Sequence, residues 1–460
     1  MPELAINGGP KAAEGLHIPR WPMLDEEDKK AVLEALESRH WCRIYPGSRA
    51  EEFEKAFAAY QDAKYGIAVS NGTAALELAL LACGIRPGDE VLVSAVTFIA
   101  SASAIVTSVG AVPVFVDIDP ETASISPQGI EEAITDRTRG VVTVHYGGYP
   151  VDFDRILPIV EQQELVLIED SAHAQGTEWK GRKVGAIGNM GAFSFQESKA
   201  FTAGEGGIVL TNDEETAESA RLYHNIGRVV GRPGYEHQVL ASNLRLSELH
   251  AALLLAQLRR YQGEQVKIKH ENGELLAKGL QEIGGVEPLR RDERITQRGY
   301  YLFIIRYDSR QFDGVHRDRF VEALRAEGVP CGPGYGIPLY KQPAFKRERI
   351  EPLLAESSKP WPDYENMYLP VAEHFCSEEQ ITLPHQVLLA GREGMQAILE
   401  AVAKIKKNAG ELSAKFGTAT TRVMVASRAL PPLDSIEHEY QEAGRDYEES
   451  GDDEEGMRGE

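Results

Sequence analysis

Three short segments carry residue types that could do chemistry together. In Ile168-Glu169-Asp170-Ser171-Ala172-His173-Ala174-Gln175-Gly176 an apolar run ends on a carboxylate. Ligands of open α/β sheets bind at the carboxyl ends of strands, which places Asp170 to meet one. On its own the same residue would serve equally as a helix N-cap or a surface-turn acid. Farther on, Ser194-Phe195-Gln196-Glu197-Ser198-Lys199 leads into Thr202-Ala203-Gly204-Glu205-Gly206-Gly207. Lys199 stands in a mostly apolar, small-residue setting, where an ammonium is partly desolvated, its pKa falls and the amine becomes nucleophilic. Lone lysines are ordinarily surface residues, so this one gains interest only from its company. The third segment, Val69-Ser70-Asn71-Gly72-Thr73-Ala74-Ala75-Leu76, reads as strand, tight turn and helix start. Gly72 allows close backbone approach, Thr73 brings a hydroxyl, and a helix N-terminus presents N–H groups to an anion. A helix that is merely capped would look the same.

These residues need a scaffold. From Tyr65 onward short apolar runs alternate with helical patterns. Strands are expected over Ile67–Ser70, Glu90–Ser94, Val112–Val116, Val141–His145 and Leu165–Glu169, with helices over Thr73–Cys83, Phe98–Val109 and Phe153–Gln162. That alternation predicts an α/β fold with a mainly parallel sheet between helices. An amphipathic helix is expected from about Leu246 to Arg260. A smaller α+β unit follows, with a strand over Tyr300–Tyr307 and helices over Arg317–Ala326 and Gly391–Ile405. The expected organisation is an N-terminal arm (1–20), a large domain (21–262), a small C-terminal domain (263–412) and a tail (413–460). Ser94 to Val116 lacks charge and is long enough to cross a bilayer. Its hydroxyl residues, Gly110 and Pro113 read instead as a helix, a stop and a buried strand, so no membrane span is expected.

The 460 residues include 49 Lys and Arg against 71 Asp and Glu, a net charge of −22. Binding to nucleic acid through phosphate neutralisation is therefore not expected. Much of the acidity is local: Pro431 to Glu460 holds twelve acids and two arginines. The run Glu448 to Glu455 reads as a solvated, disordered tail, with docking of a basic partner by Asp452–Glu455 as the alternative. Four well-separated cysteines, Cys42, Cys83, Cys331 and Cys376, form no CxxC pair. Neither a metal site nor a disulfide framework is indicated, and a reduced, cytoplasmic setting fits best. Met1 to Pro10 has no apolar core of a secretory signal. No GxGxxG or GxxxxGK[ST] occurs, which removes the usual support for nucleotide binding.

An anion cradle, an acid at a strand end and a lysine before a glycine-rich turn are together what pyridoxal 5′-phosphate requires. The phosphate would sit on the helix start, Asp170 would keep the pyridine nitrogen protonated, and Lys199 would form the Schiff base. With these pieces in order, the chain resembles the sugar and cyclitol aminotransferases of the DegT/DnrJ/EryC1/StrS family. The motifs that carry the resemblance are those above, with Thr97-Phe98, Pro113 to Asp117, Ser242 to Glu248, Pro338-Leu339-Tyr340 and Pro384-His385. It spans about Leu4 to Leu412 and implies pyridoxal-phosphate fold type I, the aspartate-aminotransferase fold.

Carried over residue by residue, the resemblance implies that Lys199 is the cofactor-bonding lysine and proton carrier. Asp170 is the partner of the pyridine nitrogen, and His173 lies near the cofactor's O3′. Thr73, Ala74 and Ser194 hold the phosphate, and Gly72 joins the cofactor-binding set by letting the backbone approach closely. Phe98 stacks on the ring; from sequence alone it would be read as a core residue. Asn243 reaches the phosphate in a neighbouring subunit, so a homodimer with shared sites is implied. The family normally flanks that asparagine with tyrosines, where Ser242 and Leu244 stand here. Related sugar dehydratases carry histidine in place of this lysine, so the chain should transaminate. Gln196-Glu197, Trp21-Pro22 and Leu383 to Leu389 resemble the branch of glutamine:scyllo-inosose aminotransferases and aminohydroxybenzoate synthase. A ping-pong transfer from L-glutamine or L-glutamate to a keto-cyclitol or keto-sugar is implied. The alternatives are a nucleotide-linked keto-sugar acceptor and, remotely, a non-catalytic regulator that binds the same cofactor. Trp41–Tyr45, His145-Tyr146 and the region around Tyr335 are candidates for acceptor contacts.

Overall fold

Alternation of apolar side chains along each strand builds a sheet that is buried on both faces. In the computed structural model the seven strands are Tyr65–Val69 (β1), Glu90–Ser94 (β2), Val112–Val116 (β3), Thr138–Val144 (β4), Val166–Asp170 (β5), Met190–Ser194 (β6) and Gly207–Thr211 (β7). They lie in the order β1-β7-β6-β5-β4-β2-β3. Pairings from β3 through β2, β4 and β5 to β6 are parallel, whereas β7 runs antiparallel to both β6 and β1. Successive strand residues point to opposite faces. Val91, Val93, Val142, Val144 and Ile168 accordingly join one core with the helices Gly72–Ala82 and Ala100–Val109. Leu92, Val141 and Leu167 face the other side, against Phe153, Ile156 and Ile159 of the helix Phe153–Gln162. Beside them, Phe53, Phe57, Phe193, Phe195, Phe201 and Tyr261 form an aromatic core under β1, β6 and β7.

A second, antiparallel sheet comprises Val286–Pro288 (β8), Leu302–Tyr307 (β9) and Gln380–Pro384 (β10), with β9 central. Its core joins Phe303, Ile305, Ile381 and Leu383 to the helices Val266–Ile283, Arg317–Ala326 and Gly391–Lys407. The structure describes residues 3–229 and 235–416. Most of the expected acidic tail, including Glu448 to Glu455, lies outside the described residues. Among the described residues no helix is long and apolar enough to cross a membrane. The uncharged stretch Ser94–Val116 ends β2, forms the helix Ala100–Val109 and ends on β3.

The differences from expectation are local. Strand β5 runs one residue past Glu169, because Asp170 still pairs with Val144 and Ala192. The helix expected from Phe98 begins at Ala100, so Phe98 sits in the turn ahead of it. The helix expected from Leu246 begins at Glu248, after Ser247 caps it by accepting from the His250 amide. Strand β9 begins at Leu302 rather than Tyr300, whose φ of 44° lies in the left-handed region.

Candidate active site

The carboxyl ends of β4, β5 and β6 open into a cavity of about 950 Å³. Asp170, His173, Ser194 and Lys199 line it with Gly72, Thr73, Ala74 and Phe98, so eight of the nine residues singled out in the sequence share one space.

Asp170 is the last residue of β5 and is buried. Its Oδ2 accepts from Ser101 Oγ at 2.6 Å, and its Oδ1 accepts from the Ala172 amide at 3.1 Å. With the Ser101 proton given to Asp170, Thr97 Oγ1 is the donor in the 2.9 Å contact to Ser101 Oγ. Both carboxyl oxygens are thus fixed by donors at the cavity wall. The neighbouring residue is more deeply set. Glu169 is fully buried and accepts from the amides of Gly185, Ile187 and Gly188 at 2.6–2.7 Å and from His145 Nε2 at 3.0 Å. Burial opposes its ionisation, but His145 and the amides outweigh that and hold its carboxyl below the usual range. This clamp ties the ends of β4 and β5 to the turn before β6.

Lys199 lies in the turn after β6, held at both ends by Phe195 and Phe201, whose rings pack edge to face at 5.0 Å. Glu197 N–H donates to the Gly204 carbonyl at 2.9 Å, and Gly204 closes the turn with a φ of 83° that favours glycine. Lys199 lines the cavity and is half-buried. Burial therefore pulls its pKa down to about 8, against the opposing field of Asp170. His173 Nδ1 accepts from the Gly147 amide at 3.3 Å, which leaves the ring proton on Nε2. Burial, then the nearby Lys199 charge, holds this imidazole well below its ordinary value, so it is neutral.

The helix Gly72–Ala82 starts at the cavity wall, capped by Asn71, whose Oδ1 accepts from Ala74 N–H at 2.9 Å. The Ala74 amide is thus engaged by the cap, whereas those of Gly72 and Thr73 have no acceptor among the described residues and are the ones open to an anion. Gly72 is required by contact: a Cβ there would come 2.6 Å from Ser194 Cβ. Phe98 is 55% exposed on the cavity wall, which corrects the core reading of its sequence context. Asn243 does not enter this cavity. It is exposed, bridges to Asn225, and accepts from Arg245 N–H at 3.3 Å.

Several residues escaped the sequence reading. Ser101 is a polar residue on the buried face of an apolar helix, which is a signal, but only the fold brings it under Asp170. Tyr301 reaches the cavity from beyond the large sheet, and nothing in its local sequence marks it for that place. Tyr335 was among the candidates for acceptor contact and does line the cavity, whereas Tyr146 is buried behind it, the two rings 5.6 Å apart.

The cavity thus offers an anion seat at a helix start, a carboxylate suited to a cationic ring nitrogen, and an amine partly neutral near pH 8. A model of the DegT/DnrJ/EryC1/StrS aminotransferase family matches residues 22–388. A putative L-glutamine:3-amino-2,3-dideoxy-scyllo-inosose aminotransferase of Micromonospora echinospora is 39% identical over 414 residues, 89% of this chain and 98% of that protein. An L-glutamine:scyllo-inosose aminotransferase of Streptomyces griseus is 35% identical over 429 residues, 89% of this chain and 99% of that protein. The crystal structure of 3-amino-5-hydroxybenzoic acid synthase superposes with a TM-score of 0.77 at 34% identity, covering 85% of this chain and 99% of that one.

Proposed function

Because the chain belongs to the DegT/DnrJ/EryC1/StrS aminotransferase family, and is a transaminase of pyridoxal-phosphate fold type I, we propose that it moves an amino group from L-glutamine or L-glutamate to a keto-cyclitol, with pyridoxal 5′-phosphate as cofactor. The observation that carries this reading is the convergence on one cavity of the Lys199 amine, the Asp170 carboxylate and the open amides of Gly72 and Thr73.

The residues present fit that cofactor. The two open amides, with the hydroxyls of Thr73 and Ser194, suit a phosphate; the Ala74 amide would join them only by leaving its cap. Asp170 suits a protonated pyridine nitrogen, neutral His173 with its proton on Nε2 suits the phenolic oxygen, and the exposed face of Phe98 suits a stacked ring. When bound, pyridoxal phosphate supplies an electrophilic carbon for the incoming amine and a cationic ring that withdraws electron density from it.

The chain's own groups do the rest. Asp170, fixed by Ser101 and the Ala172 amide, holds the proton on the ring nitrogen and so keeps that charge in place. Lys199, neutral in an appreciable fraction near pH 8, would move the proton from the donor's α-carbon to the cofactor carbon bonded to the amino nitrogen, a role worth about 10²–10⁴-fold in rate. The amino group leaves the donor in one half-reaction and reaches the keto carbon in the second, in ping-pong order.

The cavity wall favours an uncharged polyol. Among the described lining residues Lys199 is the one Lys or Arg, against Glu77, Asp170 and Glu205. A nucleoside diphosphate would bring further negative charge to that wall. We also propose a homodimer in which Asn243 serves the neighbouring site, in keeping with its exposure outside its own cavity. Four free cysteines accord with a cytoplasmic setting. The test supplies scyllo-inosose and a nucleoside-diphosphate keto-sugar in turn, with L-glutamine as donor. Amine appearing on the cyclitol supports the reading, and amine on the nucleotide sugar alone overturns it.

A further inference from the structure

The amine of Lys199 rests on an aromatic ring. Its Nζ lies 4.3 Å from the centroid of the Tyr301 ring. Tyr301 precedes β9 by one residue, so this ring arrives from the small sheet, whereas the lysine comes from the turn after β6. The ring is itself held: His173 packs against it at 4.2 Å between centroids, and His385 lies beyond it at 6.3 Å. The Tyr301 hydroxyl is 2.9 Å from Ser198 Oγ, on the residue before Lys199. Ser198 Oγ donates to Gln196 Oε1 at 2.6 Å, and the Ser198 amide donates to the same oxygen at 2.9 Å. With the serine proton spent there, Tyr301 is the donor to Ser198. One side chain thus supports the amine from below and ties the preceding residue from the side.

We propose that Tyr301 is a positioning residue for the free Lys199 amine, its ring face seating the amino group and its hydroxyl fixing the Gln196–Lys199 turn through Ser198. The inference rests on Lys199 as the residue that carries the proton. A transaminase needs that amine in one place while it is not bonded to anything, since the proton it moves travels a short, directed path. Lysine has a long, flexible stem, and neither Asp170 nor His173 hydrogen-bonds its Nζ; the aromatic face supplies the seat that no hydrogen bond does.

The seat also has a charge consequence. The negative face of an aromatic ring stabilises an ammonium over a neutral amine. The groups facing Lys199 are Asp170 from the end of β5, His173 from the turn after it, Tyr301 ahead of β9, and Tyr335 and Glu205 on the cavity wall. Burial lowers the amine's pKa and Asp170 raises it; a ring face under the ammonium acts in the same direction as Asp170. Removing the ring therefore moves the titration of Lys199 downward from about 8.

The test reads the amine directly in the cofactor-free full-length chain. Wild type, Tyr301→Phe, Tyr301→Leu and Ser198→Ala are treated with trinitrobenzenesulfonate across pH, and the Lys199 adduct is followed by peptide mass spectrometry. Tyr301→Leu should lower the midpoint by roughly half a unit to one unit, while Tyr301→Phe and Ser198→Ala leave it in place. In the loaded enzyme all three should lower kcat more than they raise KM, since they disturb a group that acts after binding. A Tyr301→Leu midpoint equal to wild type overturns the seat. A Tyr301→Phe midpoint that falls as far as the Leu variant's would show that the ring is not what holds the charge, and overturns it as well. If Tyr301→Leu does not fold, Tyr301→Gln takes its place with the same expectation. Because the chemical reaction needs no cofactor, a failure here is separate from a failure of the transaminase reading, which the donor and acceptor assay decides.

Discussion

Ser101 Oγ stands 2.6 Å from Asp170 Oδ2 and gives it its proton, while Thr97 in turn donates to Ser101. The carboxylate that faces the cavity is thus oriented by a helix from the other side of the strand end. Replacing Ser101 by alanine leaves Thr97 without its acceptor and Asp170 with one partner fewer. A hydrogen bond to a charged group is worth about 1.5–3 kcal/mol, so kcat should fall by roughly 10- to 100-fold with cofactor still bound. Steady-state kinetics on the holoenzyme check this; an unchanged kcat would remove Ser101 from the site.

Gly72 and Ser194 are in contact across the anion seat. The Cβ of Gly72→Ala would lie 2.6 Å from Ser194 Cβ, and it must push the helix start away from β6. Overpacking of this kind costs about 1–3 kcal/mol. The expected outcome is a cofactor Kd raised tenfold or more, measured by fluorescence titration, together with a lower Tm.

How much of this was legible in advance follows from which interactions are local. The strand and helix order from Tyr65 to Gln162 could be read because each element announces itself within a few residues through its periodicity. The anion seat, Asp170 and Lys199 could be read for the same reason, since each belongs to one continuous motif. Ser101 and Tyr301 could not. Each meets the site through a pairing of distant segments, 69 residues apart for Ser101 and Asp170 and 103 apart for Ser198 and Tyr301. Phe98 taken in isolation reads as core, because an aromatic beside an apolar helix usually is; only the family motif points it to the cavity. Strand β5 runs one residue past its expected end for a simpler reason: hydrogen-bond register with the neighbouring strands, which the strand's own sequence does not contain, carries pairing through Asp170.

The Glu169 clamp predicts a stability effect rather than a rate effect. In Glu169→Gln the new amide group would confront backbone N–H donors that now meet an anion. Breaking a buried, fully hydrogen-bonded charge typically costs about 3–5 kcal/mol. Urea denaturation of the cofactor-free protein should show a loss of that order.

Lys199 gives a pH signature. Its folded pKa of about 8 lies below the ordinary 10.5. Between those values the unfolded chain binds the proton that the native chain has shed, so stability should rise with pH across that window. Below about 8 both states are protonated and the term is constant. The stability curve of Lys199→Met should lack this rise, and the difference between the two curves isolates it. Parallel curves would mean that the amine is not desolvated.

The shared-site arrangement is testable by mixing subunits. Lys199→Ala and Asn243→Ala chains, each inactive alone, should regain about a quarter of wild-type activity when refolded together, because half the dimers are mixed and each has one intact site. No recovery would place Asn243 in its own subunit's site or outside the reaction.

The proposed transamination requires Lys199 as the residue that bonds the cofactor. The direct measurement is borohydride reduction of the protein loaded with pyridoxal phosphate, followed by peptide mapping, with and without prior L-glutamine. The label should fall on the peptide containing Lys199 and disappear when the donor is added first. Label on another lysine, or label that the amino donor leaves untouched, would contradict it.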